Sequence, residues 1–386
     1  MTPKTVTILG STGSVGVNTL NVIREHASHF RVLGLAVSSN VETLSAQIEE
    51  FSPKAVYLED AAAADTISRK YAGRVKVFTP QDTLKSFSAY LNADILVAAS
   101  SGTSSLLSVM GALRAGKRVA LANKEILVMA GSLVMECLKN NPASSLIPVD
   151  SEHNAIFQCL QGQSVNDVKK LILTGSGGPL RETPEKEFQT VSKETVINHP
   201  RWKMGQKISV DSATLMNKGL EIIEAAWIFG MPVEKIDVLI HPEAVIHSMV
   251  EFQDGSVLAQ LGVTDMRLPI RHALSHPERF SAPSMSLDWT KIHSFNFLSP
   301  NRQKFPCLDL AYAVAKQSGS APCVLSAADE TVVRAYLDDK VHFLDIPRVI
   351  EKVLSRHRHV SRPNLEEIQS IHAWAVEETK KCCGAV

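Results

Sequence analysis

Apolar and polar positions along this chain change their period several times, and the changes divide it. Up to about residue 150, short aliphatic or β-branched runs at 6–9, 31–37, Ala55–Leu58, 75–78, 94–98, Arg118–Leu121 and 145–149 alternate with helical patterns such as 19–26, Val41–Phe51 and 106–115. In the helical patterns apolar residues recur three and four apart, so strand and helix alternate. That order predicts a parallel sheet with helices on both faces. From 151 to 280 the order is less regular: strands are expected at 168–174, 238–240, 244–251 and Val257–Leu261, with helices at 152–160 and 215–229. Asp254-Gly255 between the last two strands is a hairpin signal. Between 281 and 306 the periodicity fades and Pro, Ser and Asn accumulate, as in a connecting segment. Beyond it, 308–317, 322–337, 346–354 and 365–380 read as helices of a small bundle. The expected division is 1–150, 151–280, 281–306 and 307–386.

Length supports that reading, since 386 residues at roughly 150 per domain give two to three domains. Forty basic residues balance forty acidic ones, so no cationic field draws nucleic acid or an anionic membrane, and neither is expected as a partner. An anionic ligand must be held by a local site. No stretch approaches the ~20 apolar residues of a membrane span. The N-terminus lacks the apolar core of a signal peptide. The six cysteines lack metal-ligand spacing, and with the other features they suggest reduced thiols and a cytoplasmic location.

Seven segments carry candidate chemistry. Gly10-Ser11-Thr12-Gly13-Ser14-Val15-Gly16 follows the first strand and opens the first helix. There, backbone amides and the helix N-terminus can receive a pyrophosphate, although a tight strand-to-helix turn would need similar glycines. Its place at the first turn of a long βα array favours a dinucleotide and a Rossmann-like sheet. The second strand ends in Ser38-Ser39-Asn40, with no acid to repel a ribose 2′-phosphate, which favours NADPH. Ser39-x-x-Glu42 also reads as a capping box. Asp150-Ser151-Glu152 lies past the strand at 145–149: two carboxylates there can grip a hard divalent cation, or simply start a helix. Gly175-Ser176-Gly177-Gly178 can form an anion-binding nest or a plain loop.

Asp211-Ser212 through Asn217-Lys218-Gly219-Leu220-Glu221 offers hydroxyl, amide and ammonium donors suited to a phosphate; alternatively Lys218 is a surface charge paired with Glu221. His199-Pro200-Arg201-Trp202-Lys203-Met204-Gly205 fits a loop that closes over a ligand, or one whose Trp202 merely packs. Asn123-Lys124-Glu125 sits at another strand end. His241 and His247 read as structural.

Taken together, GSTGSVG (10–16), LANKE (121–125), PVDSEHNAIFQ (148–158), LTGSGGPLRETP (173–184) and HPRWKMGQKISVDSATLMNKGLEIIEA (199–225) resemble the 1-deoxy-D-xylulose-5-phosphate reductoisomerase family, almost end to end and least in the helical tail. The resemblance implies an α/β fold with an N-terminal Rossmann-like parallel sheet, a central α+β catalytic domain with a mobile loop, and a C-terminal helical bundle, in a V-shaped homodimer. It implies Mg2+ or Mn2+ on Asp150, Glu152 and Glu221. It places the phosphate of a sugar phosphate substrate on Ser176, Ser212, Asn217 and Lys218. Lys124, Ser151 and Glu152 would face the substrate's carbonyl and hydroxyls, and His199 and Trp202 would belong to the closing loop. Lys124, Glu152 and His199 are the candidate catalytic groups. NADPH would lie against Gly10, Thr12, Gly13, Ser14, Val15, Ser38, Ser39, Asn40, Asn123 and Glu125, with Gly205 near the nicotinamide. The lysine that many members place in the 38–40 stretch is absent here. Rival readings are a sugar-phosphate dehydrogenase without isomerisation and a noncatalytic nucleotide sensor; the sensor would lack a carboxylate or Lys218, and none is lacking.

Overall fold

The computed structural model describes residues 2–100, 102–202, 204–282 and 285–385. They form two compact units: Met1–Ile126 with Val134–Asn154 and Asp265–Ser284, and Leu127–Leu133 with Ala155–Thr264 and Met285–Val386.

The first unit is built on seven parallel strands, β1 (Lys4–Leu9), β2 (Phe30–Val37), β3 (Ala55–Leu58), β4 (Lys76–Phe78), β5 (Ile95–Ala98), β6 (Arg118–Leu121) and β7 (Ser145–Pro148). Their order is β4-β3-β2-β1-β5-β6-β7. Because helices cover both faces, the central strands are near-continuous apolar runs, with Val6, Ile8, Leu9, Leu35 and Val97 almost wholly buried. Strand order reverses at β1, where Leu9 pairs with Ala36 on one side and Ala98 on the other. Crevices at such reversals, outside the strands' carboxyl ends, are where open sheets bind ligands.

The compact units are drawn along different lines from the four expected segments. Helix Arg267–Ser275 belongs to the first unit: Arg271 Nη2 lies 2.5 Å from Glu25 Oε2, and Arg118 Nη1 donates to the Leu274 carbonyl at 2.8 Å. The second unit joins a four-stranded sheet to the terminal helices. Strands β8 (Val168–Gly175), β9 (Ile236–Ile240), β10 (Ile246–Phe252) and β11 (Val257–Leu261) are ordered β11-β10-β8-β9. Strands β10 and β11 form the hairpin that Asp254-Gly255 predicts, with Gly255 at φ +86°. Helix Met216–Phe229 is buried on nearly every side. One continuous core therefore runs from Leu171 and Leu173 through Leu220 and Ile223 to Ala311, Val324 and Ile350. The helices Cys307–Gln317, Ala321–Leu337, Asp345–Arg356 and Leu365–Cys383 share that core with the sheet and are not a separate body. Segment 285–306 holds no α-helix; it carries a 3-10 turn at Trp289–Lys291 and a bridge from Leu298 to Ile240.

Candidate active site

In the first unit the glycine turn leaves β1 at its carboxyl end. Gly10 takes φ +85°, and a Cβ there would lie 2.7 Å from the Ala99 carbonyl oxygen, so only glycine fits. Gly13 is the N-cap of helix Ser14–Glu25 and supplies no side-chain cap, which leaves first-turn amides of that helix for an anion. The turn is pinned from behind: Ser11 Oγ donates to Gln47 Oε1 at 2.7 Å, and Gln47 Nε2 donates to the Ser11 carbonyl at 2.9 Å. Sequence reading missed Gln47, because a glutamine on a helix two elements away carries no local signal.

At the end of β2, Ser38 and Ser39 are exposed. The expected capping box is not formed: Asn40, not Ser39, caps helix Val41–Phe51, its Oδ1 accepting from Thr43 N at 2.9 Å. Asn40 wins because its side chain reaches the third amide of the helix, which leaves Glu42 an exposed first-turn residue. Asn123, past β6, donates to the carbonyls of Ser100 and Gly102 at 2.5 and 2.7 Å and so braces the loop after β5. Glu125 begins helix Glu125–Asn140.

Past β7, Asp150 lies at the start of helix Ser151–Cys159 and serves both readings of its segment. Its Oδ1 accepts from Glu152 N at 3.4 Å, as a cap does. Its Oδ2 lies 2.6 Å from Lys124 Nζ, with both side chains almost buried. Burial pushes the Asp150 carboxyl up, but Lys124 and His153 beside it outweigh that and hold it well below the ordinary range. It is an anion, as a metal-ligating carboxylate must be. Ser151 Oγ donates to Glu152 Oε2 at 2.5 Å.

The second unit gathers its candidates where β8 ends. Lys218 is buried, and its Nζ donates to the Thr174 carbonyl at 2.7 Å and to Glu221 Oε2 at 2.6 Å. Asn217 Nδ2 donates to the other oxygen, Glu221 Oε1, at 2.6 Å. Lys218 is therefore no surface charge. A Cβ on Gly175 would lie 2.8 Å from Lys218 Cε, and one on Gly178 would lie 2.3 Å from the Ser212 carbonyl oxygen. The glycine turn thus lies against both Lys218 and Ser212. Leu215, at φ +61° and buried, separates helix Gln206–Thr214 from helix Met216–Phe229. The second helix therefore starts afresh beside Ser212, with Asn217 and Lys218 in its first turn.

His199 joins the loop to this group. Its Nδ1 accepts from Arg201 N at 3.2 Å and Trp202 N at 3.0 Å. The ring proton must then sit on Nε2, which donates to Ser176 Oγ at 2.9 Å and leaves the hydroxyl proton of Ser176 free to point elsewhere. Burial, together with the positive charge of Lys218, lowers His199 to about 4. Residues 198–202 and 204–205 are neither helix nor strand; Lys203 lies outside the described residues. Trp202 is half-buried, its ring centroid 6.4 Å from that of His247, and Gly205 caps helix Gln206–Thr214. Arg181, which sequence reading passed over, donates to the Ser176 carbonyl at 2.8 Å. His241 has a structural place: it stacks on Phe297 with centroids 4.9 Å apart, and its Nε2 accepts from Val245 N.

Each unit therefore holds a carboxylate neutralised by a lysine, Asp150 by Lys124 and Glu221 by Lys218. Each pair by itself can part when ligands arrive, the carboxylate to a hard cation and the ammonium to an oxyanion.

Known proteins share these segments in order. The model for 1-deoxy-D-xylulose 5-phosphate reductoisomerase matches residues 6–131, that for its C-terminal domain residues 146–229, and one for the DXP reductoisomerase C-terminal domain residues 261–378. The 1-deoxy-D-xylulose 5-phosphate reductoisomerase of Geobacillus sp. (strain WCH70) is 46% identical over 371 residues, 96% of this chain and 97% of that protein. That of Chlorobium chlorochromatii (strain CaD3) is 46% identical over 98% of this chain and 99% of that protein. Among solved structures, the Zymomonas mobilis enzyme in complex with NADPH superposes with a TM-score of 0.92 at 41% identity, covering 100% of both chains. A DOX-P reductoisomerase in complex with NADPH, fosmidomycin and magnesium gives a TM-score of 0.92 at 37% identity over 98% of each chain. With this identity sustained over nearly its whole length, the chain belongs to the 1-deoxy-D-xylulose 5-phosphate reductoisomerase family.

Proposed function

We propose that this chain catalyses the NADPH- and divalent-metal-dependent rearrangement and reduction of 1-deoxy-D-xylulose 5-phosphate to 2-C-methyl-D-erythritol 4-phosphate, a step of the non-mevalonate isoprenoid route. The observation that carries this reading is the buried Lys218, bound to Glu221 beside the Gly175–Gly178 turn and Ser212.

Ser176, Ser212, Asn217 and Lys218 bind the substrate phosphate. The proton of Ser176 is available for it, because His199 Nε2–H already donates to that oxygen. Asp150, Glu152 and Glu221 are the ligands of Mg2+ or Mn2+, three hard anionic donors of the type such ions take. When bound, the cation polarises the ketone and hydroxyl oxygens as a Lewis acid. Lys124 and Lys218, released from their carboxylates, turn to the substrate's oxygens. Lys124, Ser151 and Glu152 orient the carbonyl and hydroxyls, and Lys124 and Glu152 hold the protons that move. His199 and Trp202 belong to the loop that excludes water. The Gly10–Gly16 turn, with Thr12, Gly13, Ser14 and Val15, takes the NADPH pyrophosphate. Ser38, Ser39 and Asn40 take its 2′-phosphate, and Asn123, Glu125 and Gly205 complete the cofactor's surroundings.

The enzyme is read as a cytoplasmic homodimer. Its six cysteines are free thiols, which suits a reducing compartment, and no helix among the described residues is long and apolar enough to cross a membrane. Strand β11 is an edge strand with Val257 and Leu258 48% and 42% exposed; natural proteins cover such edges, and a second copy would do so. A Leu258→Lys variant that stays dimeric by light scattering would argue against this face.

The deciding experiment follows NADPH oxidation with 1-deoxy-D-xylulose 5-phosphate, with and without Mg2+ or Mn2+, and identifies the product by NMR. A branched product formed only with metal is expected. An unbranched product, or turnover indifferent to metal, refutes the reading.

A further inference from the structure

The Gly175–Gly178 turn has little in its own sequence to fix its shape. Gly177 and Gly178 take φ +88° and +72°, and glycine loses more conformational freedom on ordering than any other residue. The shape is imposed from the far end of the turn. There the Arg181 side chain folds back: a Cβ on Gly177 would lie 2.8 Å from Arg181 Cδ, and Arg181 Nη1 donates to the Ser176 carbonyl at 2.8 Å. Gly178 N in turn donates to Ser176 Oγ at 3.3 Å. The direction in which Arg181 leaves the backbone therefore decides how Ser176 is held.

Lys304 sets that direction. Its Nζ donates to two successive carbonyls, that of Leu180 at 2.9 Å and that of Arg181 at 2.8 Å. These belong to the two peptide planes that flank the Arg181 Cα, and holding both planes fixes the backbone angles between them. Lys304 is itself well placed to hold them. Its backbone N–H donates to Asn301 Oδ1 at 3.0 Å, and its ammonium lies 5.3 and 5.1 Å from the ring centroids of Phe188 and Phe305, both buried in the core of the second unit. Burial lowers the Lys304 pKa, with Glu182 and Glu185 only partly opposing it. An apolar side chain would fill the same space without desolvating a charge; what the ammonium adds is its hold on two backbone oxygens. We propose that Lys304 is a positioning residue for the substrate phosphate: it aims Arg181 at the Ser176 carbonyl and so keeps the Ser176 hydroxyl turned to the phosphate. The proposal rests on the reading of Ser176 as a phosphate contact.

Lys304→Met tests it, because methionine keeps an unbranched side chain over the two rings and removes the donors. Its KM for 1-deoxy-D-xylulose 5-phosphate and its inhibition constant for inorganic phosphate should each rise about tenfold, while kcat changes less than about threefold and NADPH affinity stays the same. Arg181→Met should raise the same two constants, and in the double variant the effects should fall well short of adding, because they share one route. A lowered melting temperature with both constants unchanged marks Lys304 as structural and overturns the proposal. So do fully additive effects, and so does an equal loss of NADPH affinity. An unchanged KM in Ser176→Ala overturns the phosphate reading and the proposal with it, whereas a raised KM there beside a normal one in Lys304→Met overturns the proposal alone. Should Lys304→Met fail to fold, Lys304→Gln replaces it, since its amide is too short to hold both carbonyls: a raised KM in it supports the proposal, and a normal KM overturns it.

Discussion

His199 Nε2 lies 2.9 Å from Ser176 Oγ, while the opposite ring nitrogen accepts the backbone N–H groups of Arg201 and Trp202. The neutral ring thus holds the glycine turn and the loop in one hydrogen-bonded unit. A proton on Nδ1 would face those two N–H groups and break the loop side of it.

The first prediction concerns that proton. His199 is lowered to about 4, below the ~6.5 of a free histidine. Between these values the unfolded chain binds more protons than the folded one. The contribution to stability is therefore complete above about pH 6.5 and is lost as pH falls towards 4. An NMR titration should place the His199 midpoint near 4, and a midpoint of 6 or higher would contradict the buried, proton-free Nδ1.

Glu221→Gln should remove most turnover and weaken Mn2+ binding about tenfold or more, by deleting one hard anionic ligand. It should also cost stability, because Lys218 is buried and loses its counter-ion; breaking a buried pair costs about 3–5 kcal/mol. Calorimetric Mn2+ titration and a thermal melt check both. Unchanged metal affinity would exclude Glu221 as a ligand.

Trp202→Ala should lower turnover about tenfold or more. The free protein should lose less than the ~3–5 kcal/mol of a core tryptophan truncation, because the ring is only half-buried. A loss within that core range in denaturant melts would show that the indole packs and does not close over substrate.

Asn40→Asp keeps the helix cap on Thr43 N but puts an anion beside Ser38 and Ser39. The parent should prefer NADPH over NADH by about tenfold or more in kcat/KM, at least ~1.4 kcal/mol. The variant should lose that preference, as an acid here repels a 2′-phosphate and accepts from a ribose hydroxyl. Equal efficiency of the parent with both cofactors would show that these donors do not read the phosphate.

Much of this architecture is legible in the sequence because local patterns carry it. The parallel strands are aliphatic runs, and Asp254-Gly255 announces its hairpin. Helix Gln206–Thr214 is not legible in this way. Buried at Ser209, Val210, Asp211, Ala213 and Thr214, it has no clean apolar stripe. The return of helix Arg267–Ser275 to the first unit is decided by Arg271 meeting Glu25, a pair remote in sequence. The ion pair of Lys207 Nζ with Asp329 Oδ2, 2.8 Å apart, is hidden for the same reason. The motifs name the chemical groups, while long-range partners decide how those groups are held, as Gln47 does for Ser11.

Leu215 decides when the start of helix Met216–Phe229 takes shape. A leucine at φ +61° costs about 1–2 kcal/mol, and here its buried side chain in the core offsets that cost. The break between helices Gln206–Thr214 and Met216–Phe229 is therefore complete as soon as the core has packed. The backbone about Ser212 and the first turn that holds Asn217 and Lys218 is thus set during folding, before any ligand arrives. The described residues of 198–205 are held differently, by the hydrogen bonds of His199 to Ser176, Arg201 and Trp202. That tie runs through one neutral ring, so acid can undo it while leaving the Leu215 break in place.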